Sequence, residues 1–328
     1  MDVFSKKSLR TSRGLTYIYY TSPGDKVSPV LVFQHGWPDS AAMWAEVAGS
    51  LRSTKHPIII PDMLGYDGTD KPTDPAAYKW DVMTNGIFEI IDAEDYHQAI
   101  IIGHDWGSIA ASAMYHYHPK RVVGLVNLSV AYQAPAREPF DLEQMNQMTQ
   151  EVLGYRLCEY WNFFTAEGSS ELLVNNLDRL FDLIHGPAEN MKHYFTIPGA
   201  MREVQQNNVV SVLQIRGEDF IRRMRRDGFE GPHSWYKAMK ENYQHECDKT
   251  LPKEIDVVDV PVLYIRGKDD AMGPAETMYA AIQAGSLPHL EQMEIPDSAR
   301  VPYEKPREVV LRIEEWLSVH FKERNHDV

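Results

Sequence analysis

Short apolar runs alternate with longer segments of helical periodicity over the first 130 residues and again after residue 250. Buried strands of a parallel sheet are continuous apolar runs, whereas the helices that cover the sheet repeat apolar positions every three to four residues. The alternation predicts an α/β fold with a mostly parallel sheet. The predicted strands are 15–21, 30–34, 58–60, 100–102, 122–130, 260–265 and 290–295, and the clearest helices are 82–97, 109–117 and 306–320.

The segment between residues 139 and 250 has a different character. It is rich in Met, Asn, Gln and aromatic residues, and its patterns are helical with no strand between them. We therefore predict a helical lid, 139–250, inserted into an α/β core made of residues 1–138 and 251–328. Ligands of such sheets bind beyond the carboxyl ends of the strands, where a lid excludes water.

Composition restricts the partners and the compartment. The 328 residues are 43% hydrophobic and 24% charged, which is enough to bury a large core. The net charge of −14 argues against nucleic acid and anionic membranes, since both require basic surfaces. Cys158 and Cys247 are the two cysteines, which is typical of reduced thiols, and the polar N-terminus lacks an apolar signal segment. We expect a soluble cytoplasmic protein.

Residues 100–108 join a β-branched strand to a helix through a sharp turn. Gly103 and Gly107 flank this turn, as expected where the backbone leaves no room for a Cβ atom. The apex residue, which is serine in many hydrolases, is Asp105. A carboxylate nucleophile attacks saturated carbon and forms an alkyl ester. Asp105 is therefore the candidate nucleophile.

Two motifs and the inserted lid resemble the α/β-hydrolase fold, and specifically its epoxide hydrolase branch. The motifs are HGWP at residues 35–38 and GHDWG at residues 103–107. The resemblance implies that the backbone N–H groups of Trp37 and Trp106 bind the oxygen that gains charge during the reaction. It also implies that His35 and Pro38 complete the first turn, with Pro38 in the cis form.

Two lid segments resemble those that carry the epoxide-polarising tyrosines of this family. They are EYWNFF at 159–164 and GPHSWY at 231–236, so the tyrosines correspond to Tyr160 and Tyr236. A tyrosine stays protonated at neutral pH and can donate to the oxygen as the ring opens. Haloalkane dehalogenases share the aspartate, but their first turn often reads HGNP. Trp37 and the tyrosines favour oxygen over halide as the leaving atom.

The remaining members of the catalytic triad are an acid and a histidine near the end of the chain. The family pattern selects Asp270 as the acid, with Asp269 as the alternative. The histidine expected within a Gly-His-aromatic sequence falls on Ser298-Ala299-Arg300, and no histidine stands there. A general base contributes on the order of 10²–10⁴ to the rate at which water attacks the ester. The alkyl-enzyme is therefore expected to accumulate.

Three outcomes remain open from the sequence. Another group replaces the base and hydrolysis continues slowly; the pocket catalyses an isomerisation, cyclisation or elimination; or the protein binds small molecules without reaction. We favour an enzyme of the epoxide hydrolase type that acts on an apolar small molecule without cofactor or metal. A homodimer is possible, and the sequence does not identify the substrate.

Overall fold

The computed structural model describes residues 1–206 and 217–321. Within these residues, eight strands form one sheet in the order β1-β2-β4-β3-β5-β6-β7-β8. Strands β3 to β8 run parallel, whereas β2 is antiparallel to both β1 and β4. The strands are β1 (Ser5–Arg10), β2 (Thr16–Ser22), β3 (Val30–Gln34), β4 (Ile58–Pro61), β5 (Ala99–His104), β6 (Val122–Leu128), β7 (Val262–Gly267) and β8 (Leu290–Ile295).

The centre of the sheet confirms the prediction that continuous apolar runs are buried strands. Every residue of β3 and of β5 is buried. The two strands are neighbours, and their register pairs Gln34 with Gly103. Because parallel strands end at the same edge, this register places the turns after β3 and β5 side by side.

Strand β1 lies in a segment for which the sequence predicted no element. Its residues are mostly exposed, so the hydrophobic alternation that reveals a strand is absent. It is held instead by antiparallel backbone pairing with β2 over six residue pairs, from Ser5 with Thr21 to Arg10 with Thr16. It forms a polar edge of the sheet.

Helices cover the sheet and fill the segment between β6 and β7. Nine of the described helices, α4 to α12, follow one another there, although β6 and β7 pair directly in the sheet. The helices are α1 (Ala45–Leu51), α2 (Trp80–Ala93), α3 (Trp106–Tyr117), α4 (Leu142–Leu153), α5 (Tyr160–Phe164), α6 (Ser169–Val174), α7 (Leu177–His185), α8 (Ala188–Thr196), α9 (Ala200–Gln206), α10 (Glu218–Asp227), α11 (Glu230–Lys240), α12 (Tyr243–Asp248), α13 (Tyr279–Gln283), α14 (Val301–Glu304) and α15 (Pro306–His320).

Arg137 joins the two ends of this helical insertion. Its guanidinium donates to the carbonyl oxygens of Asp248 at 3.0 Å and Leu251 at 2.7 Å, and it forms an ion pair with Asp256 at 2.5 Å. The helical segment between β6 and β7 therefore begins and ends at the same place on the core. The domain boundaries at 138/139 and 250/251 stay predictions.

The turn after β5 tolerates no side chain at Gly107. A Cβ atom there would lie 2.0 Å from the carbonyl oxygen of Gln34, which is backbone and cannot move aside. We expect Gly107→Ala to destabilise the fold by about 3 kcal/mol or more, since it overpacks the junction of β3 and β5. Thermal unfolding of the purified variant measures this loss.

Gly49 in helix α1 provides the matched control. A Cβ atom at Gly49 meets nothing within 4 Å, and alanine is the better helix former by about 0.5–1 kcal/mol. Gly49→Ala should therefore keep or raise the melting temperature. Equal stability of the two alanine variants would contradict the tight packing at Gly107.

The described residues were also searched for membrane spans. No helix within 1–206 or 217–321 is both long enough and apolar enough to cross a bilayer.

Candidate active site

Asp105 occupies the apex of the turn between β5 and α3 in a backbone conformation that is rare for a residue with a side chain. Its φ is 56° and its ψ is −124°. Such a conformation persists only where the surroundings enforce it, and it is frequent at functional sites. The buried Ser108 of the following turn donates to the carbonyl oxygens of Gly103 at 2.8 Å and Leu128 at 3.0 Å. These bonds fasten the turn to the ends of β5 and β6.

Two backbone N–H groups meet the Asp105 carboxyl. The N–H of Trp37 donates to Oδ1 at 2.8 Å, and the N–H of Trp106 also interacts with this carboxyl. The approach is close because residue 36 is glycine: a Cβ there would lie 2.2 Å from Oδ1. The arrangement is that of an oxyanion site, in which fixed donors surround an oxygen that gains charge.

His35 supports the first turn from behind. Its Nδ1 lies 3.0 Å from the carbonyl oxygen of Gly36, and its Nε2 accepts from the backbone N–H of Met63 at 2.9 Å. Burial lowers the pKa of this ring to about 3, so it is neutral at pH 7. The Trp37–Pro38 peptide is cis, as the resemblance implied. His35 does not line the cavity, whereas Trp37 and Pro38 do.

Burial controls the ionisation of Asp105. Desolvation raises its pKa to about 7, although the N–H groups of Trp106 and Trp37 oppose this rise. The ionised fraction of Asp105 therefore increases as the pH rises through about 7.

Tyr160 and Tyr236 face the same cavity as Asp105. They begin α5 and lie within α11 respectively, and their ring centroids are 5.9 Å apart. Helix α11 is fixed to the core because the indole N–H of Trp235 donates to the carbonyl oxygen of Leu64 at 2.8 Å. Burial, and then nearby groups that include Asp105, raise the pKa of both tyrosines well above the usual value. Both phenols therefore remain proton donors.

Trp106 contributes its backbone N–H to the Asp105 carboxyl, and its side chain does not line the cavity. Its indole packs outside the cavity, between Trp161 at a centroid distance of 5.3 Å and Tyr236 at 5.0 Å. The ring therefore supports one of the tyrosines that line the cavity.

The two candidate acids after β7 have different surroundings. Asp270 is buried and lines the cavity, and its Oδ1 accepts from the N–H groups of Met272 at 2.9 Å and Gly273 at 3.0 Å. Burial raises its pKa to about 6. Asp269 is exposed, and its backbone N–H donates to the carbonyl oxygen of Ser298. Asp270 is thus the acid that shares a cavity with Asp105.

The loop in which the family histidine is expected lies beside Asp270. A Cβ at Gly267 would lie 2.1 Å from the carbonyl oxygen of Ser298, and Ala299 lines the cavity. The carboxylate of Glu304 holds the loop by accepting from Ser298 Oγ at 3.0 Å and from the N–H of Ala299 at 2.9 Å. Ala299 therefore occupies the position at which the family resemblance places the triad histidine.

The cavity has a volume of about 80 Å³. Other residues that line the cavity were not among the candidates, because they come from separate parts of the chain that share no motif. They are Asp39, His104, Ser129, Val130, Ile184, His185, Met191, Phe195, Met272, Ala299, Arg300 and Tyr303. His104 could have been found from the motif GHDWG, in which it precedes Asp105.

Residues 29–305 match the family model described as alpha/beta hydrolase fold. The chain belongs to this family. The predicted fold class, an α/β-hydrolase fold with a mostly parallel sheet, is therefore confirmed.

Several relatives of this alpha/beta hydrolase are epoxide hydrolases at low identity. Bifunctional epoxide hydrolase 2 of Sus scrofa is 24% identical over 306 residues, which cover 88% of this chain and 51% of that protein. Epoxide hydrolase A of Mycobacterium tuberculosis is 23% identical, and the match covers 90% of this chain and 92% of that protein. The chain spans about half the length of the mammalian relatives.

Solved structures of epoxide hydrolases share the fold. Epoxide hydrolase A from Mycobacterium thermoresistibile superposes with a TM-score of 0.76 at 22% identity, covering 96% of this chain and 98% of that one. An epoxide hydrolase from an endophytic Streptomyces has a TM-score of 0.79 at 20% identity, with coverages of 97% and 96%. The chain is thus a distant relative of epoxide hydrolases, with their architecture.

Proposed function

We propose that this protein is an epoxide hydrolase-like enzyme in which Asp105 opens the ring of a small, mainly apolar epoxide. The observation that carries the proposal is the meeting of the Asp105 carboxyl, two backbone N–H groups and two protonated phenols around one cavity. The distant likeness to epoxide hydrolases supports it. No cofactor is required by this chemistry.

The first half-reaction uses the side chains around the cavity directly. The N–H of Trp37 holds Oδ1, so the second oxygen of Asp105 attacks a ring carbon. The new C–O ester bond forms as the C–O bond of the ring breaks, and the electron pair passes to the ring oxygen. Tyr160 or Tyr236 gives that oxygen its proton, so an alkoxide is never released. The products are a hydroxyalkyl ester of Asp105 and a phenolate.

Removing the phenol hydroxyls tests the acid role. We expect Tyr160→Phe and Tyr236→Phe each to slow ring opening by about tenfold to a hundredfold, and the double variant by about 10²–10⁴. Each tyrosine can partly replace the other because both rings line the cavity. The rate is measured as single-turnover loss of styrene oxide.

Tyr279→Phe is the matched control, because this tyrosine is 50% exposed and lies on α13, away from the cavity. It should leave the rate unchanged. If the double cavity variant opens the ring as fast as the control, the acid role of the tyrosines fails.

The second half-reaction is expected to be slow. Hydrolysis requires a base that takes a proton from water as the water attacks Cγ of the ester, and Ala299 stands where that base is expected. Burial lowers the pKa of the cavity histidines His104 and His185 to about 4, so both rings are weak bases at pH 7. The alkyl ester on Asp105 should therefore persist.

A second function would use the same groups without water. An Asp105 whose pKa lies near 7 can remove and return a proton, and a cavity without a base at Ala299 does not activate water. These features favour an isomerase, cyclase or lyase as the alternative. Product mass separates the two: a diol has gained one water, whereas an isomer keeps the mass of its substrate. A protein that only binds ligands would convert nothing.

A further inference from the structure

Arg300 brings a positive charge to the cavity wall. It lines the cavity together with Asp39, His185 and Tyr303, and its side chain is 18% exposed. The same cavity has apolar surface from Ile184, Met191 and Phe195.

The guanidinium of Arg300 is incompletely bonded. Its Nη2 lies 3.4 Å from the carbonyl oxygen of Gly186 and 3.4 Å from Oε1 of Glu304, both longer than ordinary hydrogen bonds. Its Nη1 is buried and lacks any partner among the described residues. Buried donors on charged groups are normally bonded, so this nitrogen has a donor capacity that the described residues leave unused.

The two neighbouring carboxylates, Glu304 and Asp39, also accept hydrogen bonds from other donors. Oε2 of Glu304 accepts from Ser298 Oγ and from the N–H groups of Ala299 and Arg300, so it caps the loop. Asp39 accepts from the hydroxyl of Tyr303. In the part of the chain that the structure describes, the ion pair to Glu304 is the one ion pair of Arg300.

The charge of Arg300 acts on the cavity itself. Burial, and then this guanidinium, lowers the pKa of both His104 and His185, and both rings line the cavity. A ligand in the cavity is therefore near both a fixed cation and an apolar wall.

We propose that Arg300 binds the carboxylate of the substrate, so that the preferred substrates are small epoxides that also carry a carboxylate group. The epoxide part of this inference rests on the proposed function, and the carboxylate part does not. Nη1 donates to a carboxylate oxygen, the carbon chain lies along Ile184 and Met191, and the reactive ring faces Asp105. Arginine suits this role because its charge is permanent and its donors match a carboxylate.

Binding of an unreactive acid and its amide tests the inference without any epoxide. Butanoate and butanamide have nearly the same shape and differ in charge. Calorimetric titration of the full-length protein should show butanoate binding more tightly than butanamide. Arg300→Gln should reduce that preference by about tenfold to a hundredfold, and Arg300→Lys should restore part of it.

Arg312 provides the matched control. It lies on α15, is 50% exposed and pairs with Glu315. Arg312→Gln removes the same charge from the surface, and the preference for butanoate should persist. Equal binding of acid and amide by the unmodified protein, or equal loss in both glutamine variants, would overturn the inference.

The binding test of Arg300 and the test of epoxide chemistry at Asp105 can give different results. A protein that prefers butanoate through Arg300 but never reacts with epoxides keeps the carboxylate site and loses the epoxide chemistry. A protein that is alkylated at Asp105 but binds butanoate and butanamide equally keeps the epoxide chemistry and loses the carboxylate site.

Discussion

Replacing Asp105 with asparagine will abolish the reaction with epoxides. The amide has the shape of the carboxyl group but lacks its negative charge and nucleophilicity. Loss of the nucleophile should lower the rate of epoxide consumption by a factor on the order of 10⁴ or more. Epoxide consumption at pH 8 measures the effect, since Asp105 is mostly ionised there, its pKa being about 7.

The same variant should not lose stability. Burial raises the pKa of Asp105 above its value in the unfolded chain, so this group destabilises the fold as the pH rises through the unfolded pKa towards about 7. Removing the charge should therefore keep or raise the melting temperature at pH 8. A lower rate in a fully folded protein then reports on chemistry.

Asp95 offers a matched control for the backbone. It is another aspartate with a positive φ, 61°, and it follows helix α2. Asparagine tolerates this conformation, so Asp95→Asn should keep full activity. If Asp105→Asn consumes epoxide as fast as the unmodified protein, Asp105 is not the nucleophile.

Restoring a histidine at position 299 will accelerate the second half-reaction. An imidazole on Ala299 would project into the cavity on the loop beside Asp270, whose carboxylate could orient and stabilise it. We expect Ala299→His to raise the rate of ester hydrolysis by about 10²–10⁴. The rate is followed as loss of the alkylated protein and release of the diol.

Three further variants distinguish the effect of a base from the effect of side-chain size. Ala299→Phe introduces a ring without nitrogen and should leave hydrolysis slow. Adding Asp270→Asn to Ala299→His should cancel much of the gain, whereas Asp269→Asn should not, because Asp269 is exposed. If histidine and phenylalanine at position 299 behave alike, the absence of a base does not limit hydrolysis.

The parts that the sequence predicts well are those encoded in short continuous segments. The nine residues 100–108 contain most of strand β5, both glycines and the candidate nucleophile Asp105. The buried strands follow from apolar runs for the same reason. Strand β1 was missed because its partner, rather than its own pattern, defines it.

The cavity wall is less predictable because it depends on tertiary structure. His185 comes from the lid and Arg300 from the loop after β8, and they meet Asp39 only through folding. In the sequence, Arg300 stands in the segment where the family's Gly-His-aromatic motif is missing. The fold places it in the cavity wall, where its Nη1 lacks a partner among the described residues.

The central claim is that Asp105 forms a covalent ester that this protein hydrolyses poorly. Intact-mass spectrometry of the protein incubated with styrene oxide at pH 8, followed by peptide mapping, tests it most directly. We expect a gain of one epoxide per chain, located on Asp105, that persists after the excess epoxide is removed. A protein that releases diol rapidly without a detectable adduct, or that carries its adduct on another residue, would contradict it.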